Sequence, residues 1–205
     1  MGLTDLKISE YLCALKSDAP APGGGTASAI AGAQGAALVA MVLSLTLGKE
    51  KYVKFHKEAQ EAKTQAEELL AAFSQAAAED TLAYNMVAAA YKMPKETDEQ
   101  KKARSDAIQE GMLVATEVPF AVMKKAFEGI VLVSGITGKT NPNAESDLGV
   151  AVLNLLACTR GAWLNVKINL PGIKDLEKAE YYKNEGLKIC EEAARVAEES
   201  CRMLY

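Results

Sequence analysis

Three groups of residues in this sequence have types and spacings that could do chemistry. The first is Asp80. Phe73, Ala77, Tyr84, Val87 and Tyr91 step by three and four along one face of a predicted helix, and Asp80 falls on that apolar stripe while Glu79 points elsewhere. A carboxylate among apolar neighbours holds its proton more tightly, which suits proton transfer near neutral pH. The position equally suits a structural carboxylate bonded to Tyr84 or to an amide on a facing helix. The second group is the triple glycine Gly23, Gly24 and Gly25 in "APGGGTASA". Glycine is the residue most costly to order, so three at a helix entrance need a reason. Their N–H groups, beside the positive end of a helix dipole, offer a site for a carbonyl or an anion. No Lys-Ser/Thr follows them, so a phosphate-binding loop is not implied. The third group is a seam on one later helix: Asp147, Ala151, Asn154, Cys158, Gly161 and Asn165, at steps of four, three, four, three and four. Asp147 suits the helix dipole. Buried amides such as Asn154 and Asn165 need several partners each, and could either join helices or read the donor and acceptor edge of a flat heterocycle.

The elements that must position these groups are all helical. A short amphipathic helix is predicted from Thr4 to about Lys16, with Leu6, Tyr11, Leu12 and Leu15 on one side. After a loop from Asp18 to Gly25, an uncharged helix runs from Thr26 to Leu47. Along it Gly25, Ser28, Gly32, Gly35 or Ala36 and Val39 share a face small enough for close helix contact. A further helix is predicted without interruption from Glu50 to Tyr91, stopped by "KMPKET". Thr97 to Gln100 reads as a capping box. The helix it opens should kink at Pro119 and continue through "FAVMKKAFEGIVLVSGI". Ser146 is the predicted N-cap of the seam-bearing helix, Pro171-Gly172 its end, and Asp175 the cap of a last amphipathic helix. No strand and no repeat is visible. The expectation is one all-α domain over residues 1–205, a bundle of long helices.

Composition narrows the function classes. Apolar residues make 49% and charged residues 24% of the 205, ordinary for a globular protein, and a net charge of −4 disfavours nucleic acid as partner. The uncharged stretch from Thr26 to Leu47 has the length of a membrane span. It is mostly Ala, Gly, Ser and Thr, with no basic cluster before it, so a buried helix is the better reading and no membrane partner is expected. Cys13, Cys158, Cys190 and Cys201 show no metal-ligand spacing, and no signal-peptide pattern opens the sequence. Reduced thiols and a cytoplasmic location are expected. One histidine, His56, cannot supply the paired Glu-x-x-His of a di-iron bundle; it sits among Lys, Glu and Gln, and no metal is expected.

"PAPGGGTASAIAGAQGAAL", "EDTLAYNMVAAAYKMP" and "NPNAESDLGVAVLNLLACTRGAWLNVKINL" occur in this order. Together they resemble the cyclodeaminase/cyclohydrolase family of folate enzymes over nearly the whole chain, with Thr26 standing where the family usually has Ser. The resemblance implies an all-helical homodimer, a tetrahydrofolate substrate and no cofactor besides it. It implies that Gly23 to Gly25 line the pterin pocket, where side chains would obstruct a flat ring. The chemistry concerns the carbon between N5 and N10. Water opens a methenyl bridge to the 10-formyl product, or N10 displaces ammonia from a 5-formimino group. Cyclohydrolase is the leading expectation, cyclodeaminase the alternative, and a folate- or partner-binding bundle without activity the third reading. On this resemblance Asp80 is the expected proton shuttle and Asp147 its electrostatic partner. Asn141, Ser146, Asn154 and Asn165 would orient the pterin or backbone, and Tyr84 would stack or hydrogen-bond. Lys139, with Lys49 and Lys51, is a candidate for the substrate's glutamate tail.

Overall fold

The long runs set off by the glycine segment, the 48–55 turn, Pro94, the 137–144 loop and Pro171 each fold into a single helix. The computed structural model describes residues 5–204, and among these there is no strand. The α-helices are α1 (Ile8–Leu15), α2 (Gly24–Leu47), α3 (His56–Tyr91), α4 (Asp98–Ile136), α5 (Glu145–Asn169) and α6 (Leu176–Leu204). α2 lies in the middle, packed on α3 and α5; α4 covers α3 and α5; α6 closes the far side against α5 and α4. Phe73, Leu43, Met123, Ile130, Leu148 and Leu155 are fully enclosed in one continuous core. Truncating a ring such as that of Phe73 to Ala would cost about 3–5 kcal/mol.

The small face of α2 does what its spacing predicts. Gly25, Ser28, Gly32, Gly35, Ala36 and Val39 are all buried. A Cβ on Gly32 would lie 2.8 Å from the Cys158 sulfur, one on Gly35 2.8 Å from Leu155 Cγ, and one on Gly161 would collide with the Ser28 hydroxyl. The partners fall in number on α5 as they rise on α2, so the two helices run antiparallel with backbones in close approach. α2 and the 142–172 stretch are long and apolar enough to cross a bilayer by length and composition, yet both are central core elements.

Several boundaries differ from the sequence reading. α1 is shorter than predicted and buries nothing, and Leu12 is exposed; Thr4 lies outside the described residues. Gly24 and Gly25 are the first turn of α2, not a loop before it. Glu50–Phe55 is a separate 3-10 turn, so the long third helix starts at His56. α5 starts at Glu145 after the 3-10 turn Pro142–Ala144, which Asn141 caps by accepting the Asn143 N–H (3.3 Å); Ser146 is therefore inside the helix and not its N-cap. Tyr84 and Tyr91 are exposed, because the inward face of α3 follows Ala76, Ala83 and Ala90 instead. Thr97 and Gln100 do form the predicted capping box, and Asp175 accepts the Lys178 N–H at the head of α6 (3.1 Å).

α4 runs through Pro119, which is buried. Proline has no N–H to give the carbonyl of Ala115 one turn earlier, and a buried carbonyl left bare is costly. Asn169, at the end of α5, fills the gap with an Nδ2–H donated to that carbonyl at 2.8 Å.

Candidate active site

Asp80 and the head of α2 meet. Both Thr26 donors, the backbone N–H (2.8 Å) and the hydroxyl (2.9 Å), converge on Asp80 Oδ2. Thr26 is the third residue of α2, whose N-cap, Gly23, has no side chain to satisfy the orphan N–H groups of the first turn. A carboxylate from α3 does that work instead, at the positive end of the α2 dipole. The contact requires glycine at 25: a Cβ there would lie 2.5 Å from Asp80 Cγ and 2.8 Å from Oδ2. Asp80 is therefore bonded to Thr26 of the facing α2, through its backbone amide and its hydroxyl, and not to Tyr84. Oδ1 has no hydrogen-bond partner among the described residues, nor do the N–H groups of Gly24 and Gly25.

These groups line a cleft of about 340 Å³, within the range of small-molecule pockets. One wall is the 20–25 segment, which carries a cis Ala21–Pro22 bond. Ala83, Val87, Met112, Ala115 and Ile168 make the apolar walls, and half-exposed Tyr84 stands at the mouth. Asn165 and Asn169 supply the polar edge. Each spends its Nδ2 on a backbone carbonyl, Asn165 on Gly161 (2.8 Å) and Asn169 on Ala115, while their Oδ1 atoms receive no donor among the described residues. The cleft thus presents two N–H donors, two amide acceptors and one carboxylate oxygen around a flat, largely apolar slot.

The other predicted site residues lie elsewhere. Asp147 and Asn165 share a stripe of α5 but are eighteen residues, about 27 Å, apart along the axis. Asp147 is in the first turn of α5, the place that suits its charge to the dipole. Asn154 donates to its own helix at Val150 (2.9 Å), so it neither joins helices nor faces this cleft. Asn141 is buried as a turn cap whose N–H is held by Thr46 (3.0 Å). Lys139 follows the C-terminal end of α4, paired with Glu58 (3.6 Å). Lys49 and Lys51 belong to the turn after α2, at the end opposite the glycines. One chain brings Gly23, Gly24, Gly25, Asp80, Tyr84 and Asn165 together, and leaves Asn154 near the middle of α5 and the remainder at the far end. Asn169 was missed in the sequence, although it continues the 161–165 step of four and Pro119 advertises the need for a donor.

Comparison with known proteins identifies the family. Residues 7–188 match the family model described as formiminotransferase-cyclodeaminase. The chain belongs to this family. Within it, the chain is 44% identical over 173 residues to a methenyltetrahydrofolate cyclohydrolase of Methylorubrum extorquens, covering 84% of this chain and 83% of that protein. A formimidoyltransferase-cyclodeaminase of Gallus gallus is 32% identical over 177 residues, 85% of this chain but 32% of that protein, so the family domain is one part of a longer relative. The crystal structure of a formiminotetrahydrofolate cyclodeaminase from Thermotoga maritima shares the fold, with a TM-score of 0.82 at 24% identity over 98% of this chain and 95% of that one.

Proposed function

We propose that the chain is a methenyltetrahydrofolate cyclohydrolase, interconverting 5,10-methenyl- and 10-formyl-tetrahydrofolate with Asp80 as proton shuttle. The observation that carries this is Asp80 itself: a carboxylate fixed through one oxygen by Thr26, with the other oxygen free, in a slot edged by paired donors and acceptors. The pterin ring fits between the glycine segment and the apolar wall, its amide-like edge met by the Gly24 and Gly25 N–H groups and the Asn165 and Asn169 carbonyls. In this position the carboxylate charge stabilises the methenyl cation. Asp80 takes a proton from the attacking water as the C–O bond forms. N5 then gains a proton as its bond to the carbon breaks, and the new hydroxyl loses its own as C=O forms. One proton leaves for solvent over the cycle. General acid–base groups of this kind contribute about a hundredfold to ten-thousandfold. The cycle needs only the folate and water.

The cyclodeaminase reading keeps the same residues, with N10 as the nucleophile and ammonia as the leaving group; the shared fold and the Gallus gallus relative favour it as the second choice. Purified protein given the methenyl substrate should show its absorbance decay, and given the 5-formimino substrate should release little ammonia. Ammonia release at the higher kcat/KM would install the deaminase. A shift of the ligand spectrum without turnover of either would leave only a binding protein.

The same proposal includes a cytoplasmic homodimer. Not one of the 24 residues of α2 is charged, yet Met41 and Leu45 face outward, as do Val150 and Leu153 on the adjacent α5. Exposed apolar residues on two neighbouring uncharged faces mark a surface that another copy can cover.

A further inference from the structure

The two asparagines on the polar edge of the cleft are held in different ways. Asn165 donates to the Gly161 carbonyl (2.8 Å), one turn earlier in α5, which in a regular helix also receives the Asn165 backbone N–H. That carbonyl stays satisfied whichever way the Asn165 amide turns. Asn169 instead reaches across to α4 and donates to the Ala115 carbonyl (2.8 Å), 54 residues away in sequence. Pro119 has deprived that carbonyl of its helical donor. The neighbouring hydroxyl does not replace it, because Thr116 Oγ1 donates to the Met112 carbonyl (2.8 Å).

A carbonyl only accepts, so the Asn169 NH2 group must face Ala115 and its Oδ1 must face the other way. An amide beside a wet pocket ordinarily turns over at little cost, but turning this one leaves a backbone carbonyl bare. Pro119 is buried and does not line the cleft, whereas Ala115, Asn165 and Asn169 do. It ends nothing, since α4 runs on to Ile136, and the interior of a helix is where proline is most costly. What it does achieve is to fix which end of the Asn169 amide the cleft receives.

We propose that Pro119 is a positioning residue for the substrate ring. By withholding one N–H it commits the Asn169 amide to Ala115 and holds this edge of the cleft as an acceptor. Such an edge selects a pteridine whose lactam ring presents an N–H, over the 4-amino analogue, whose ring nitrogen at that place is itself an acceptor. The inference rests on the reading of the cleft as a reduced-folate site and adds to it the origin of its ring selectivity.

The experiment measures KM and kcat for methenyl-tetrahydrofolate, and competitive inhibition by tetrahydrofolate and by its 4-amino analogue. Wild type should prefer tetrahydrofolate. In Pro119→Ala the new backbone N–H satisfies Ala115 and frees the Asn169 amide to turn. KM should rise about three- to tenfold and the preference should shrink by about the same factor, one neutral hydrogen bond's effect, with kcat unchanged and the melting temperature not lowered. Asn169→Asp alone sets a carboxylate against the bare carbonyl and should melt lower. Combined with Pro119→Ala it should melt normally and, having only acceptors to offer, restore the wild-type KM and preference. Should Pro119→Ala not fold, side-chain amide exchange in isotope-labelled wild type decides. The Asn169 Nδ2 protons should exchange far more slowly than those of exposed Asn85, with and without ligand. Exchange at the Asn85 rate, a wild type without ring preference, or a Pro119→Ala enzyme with wild-type KM and preference overturns the role of Pro119 and leaves the cleft reading standing. Wild-type protein that neither turns over the methenyl substrate nor binds either pteridine overturns both.

Discussion

Gly25→Ala isolates the arrangement on which the site depends, because it adds one methyl group and no polarity. The new Cβ would collide with the Asp80 carboxylate, 2.5 Å from Cγ, so Asp80 must rotate away and release both Thr26 bonds. Hydrogen bonds to a charged group are worth roughly 1.5–3 kcal/mol each. Alanine in place of glycine returns about 1 kcal/mol through helix propensity, and the open cleft lets water rehydrate the carboxylate. A net loss of about 2–3 kcal/mol follows, which for a chain of this size lowers Tm by roughly 5–10 °C. Turnover should fall further than stability, about a hundredfold, because the reacting group is moved by an ångström or more. Thermal melting by circular dichroism and the methenyl decay assay measure the two effects. Gly23→Ala is the steric control, since nothing lies within 4 Å of the added methyl, and its melting should fall by no more than the ~1 kcal/mol that alanine costs at an N-cap. A Gly25→Ala protein that melts and turns over as wild type would refute the reasoning.

Asp80→Asn should lose about 10²–10⁴ in kcat while binding folate and keeping its helical spectrum; Asp147→Asn, at the far end of α5, should lose far less, and the reverse order would move the shuttle to Asp147. Asn169→Leu leaves the Ala115 carbonyl bare and should cost about 1–3 kcal/mol in urea unfolding. Adding Pro119→Ala restores a backbone donor and should recover most of it; a double variant no more stable than the single one contradicts the pairing. Burial pushes the Cys158 thiol up to about 12, so native protein should leave it unalkylated at neutral pH while exposed Cys13 reacts. Labelling of Cys158 at the rate of Cys13 would show that α2 and α5 part readily. Sedimentation should give a dimer that Met41→Lys/Leu45→Lys converts to a monomer, and a stable wild-type monomer at micromolar concentration would remove the dimer.

Helix order, the packing face of α2 and the special position of Asp80 were legible because each is a matter of period. A step of three or four says which way a residue points. It does not say at what height along the axis a partner stands. Asp147 and Asn165 have the same bearing on α5, and only the fold reveals that the length of the helix separates them. The same limit hid Asp80's true partner, since Thr26 is 54 residues away in sequence and offers a backbone donor that no side-chain pattern marks. Tyr84 was misjudged for a related reason. From Phe73 a step of four leads to Ala77, Tyr84 and Tyr91, whereas the buried line takes the step of three, to Ala76, Ala83 and Ala90; both counts pass through Asp80, and period alone does not choose between them.

The borrowed cap of α2 also governs how the protein comes together. A chain in which α2 has formed but α3 has not docked carries glycines at a helix end with no acceptor, and that end frays. The reactive carboxylate and the helix head that positions it come into being in a single event of assembly. Any partial opening that separates the two helices abolishes the site while most helical content survives. Catalytic competence is therefore a finer gauge of native packing in this bundle than its circular dichroism, and damage will register first as silence in the assay.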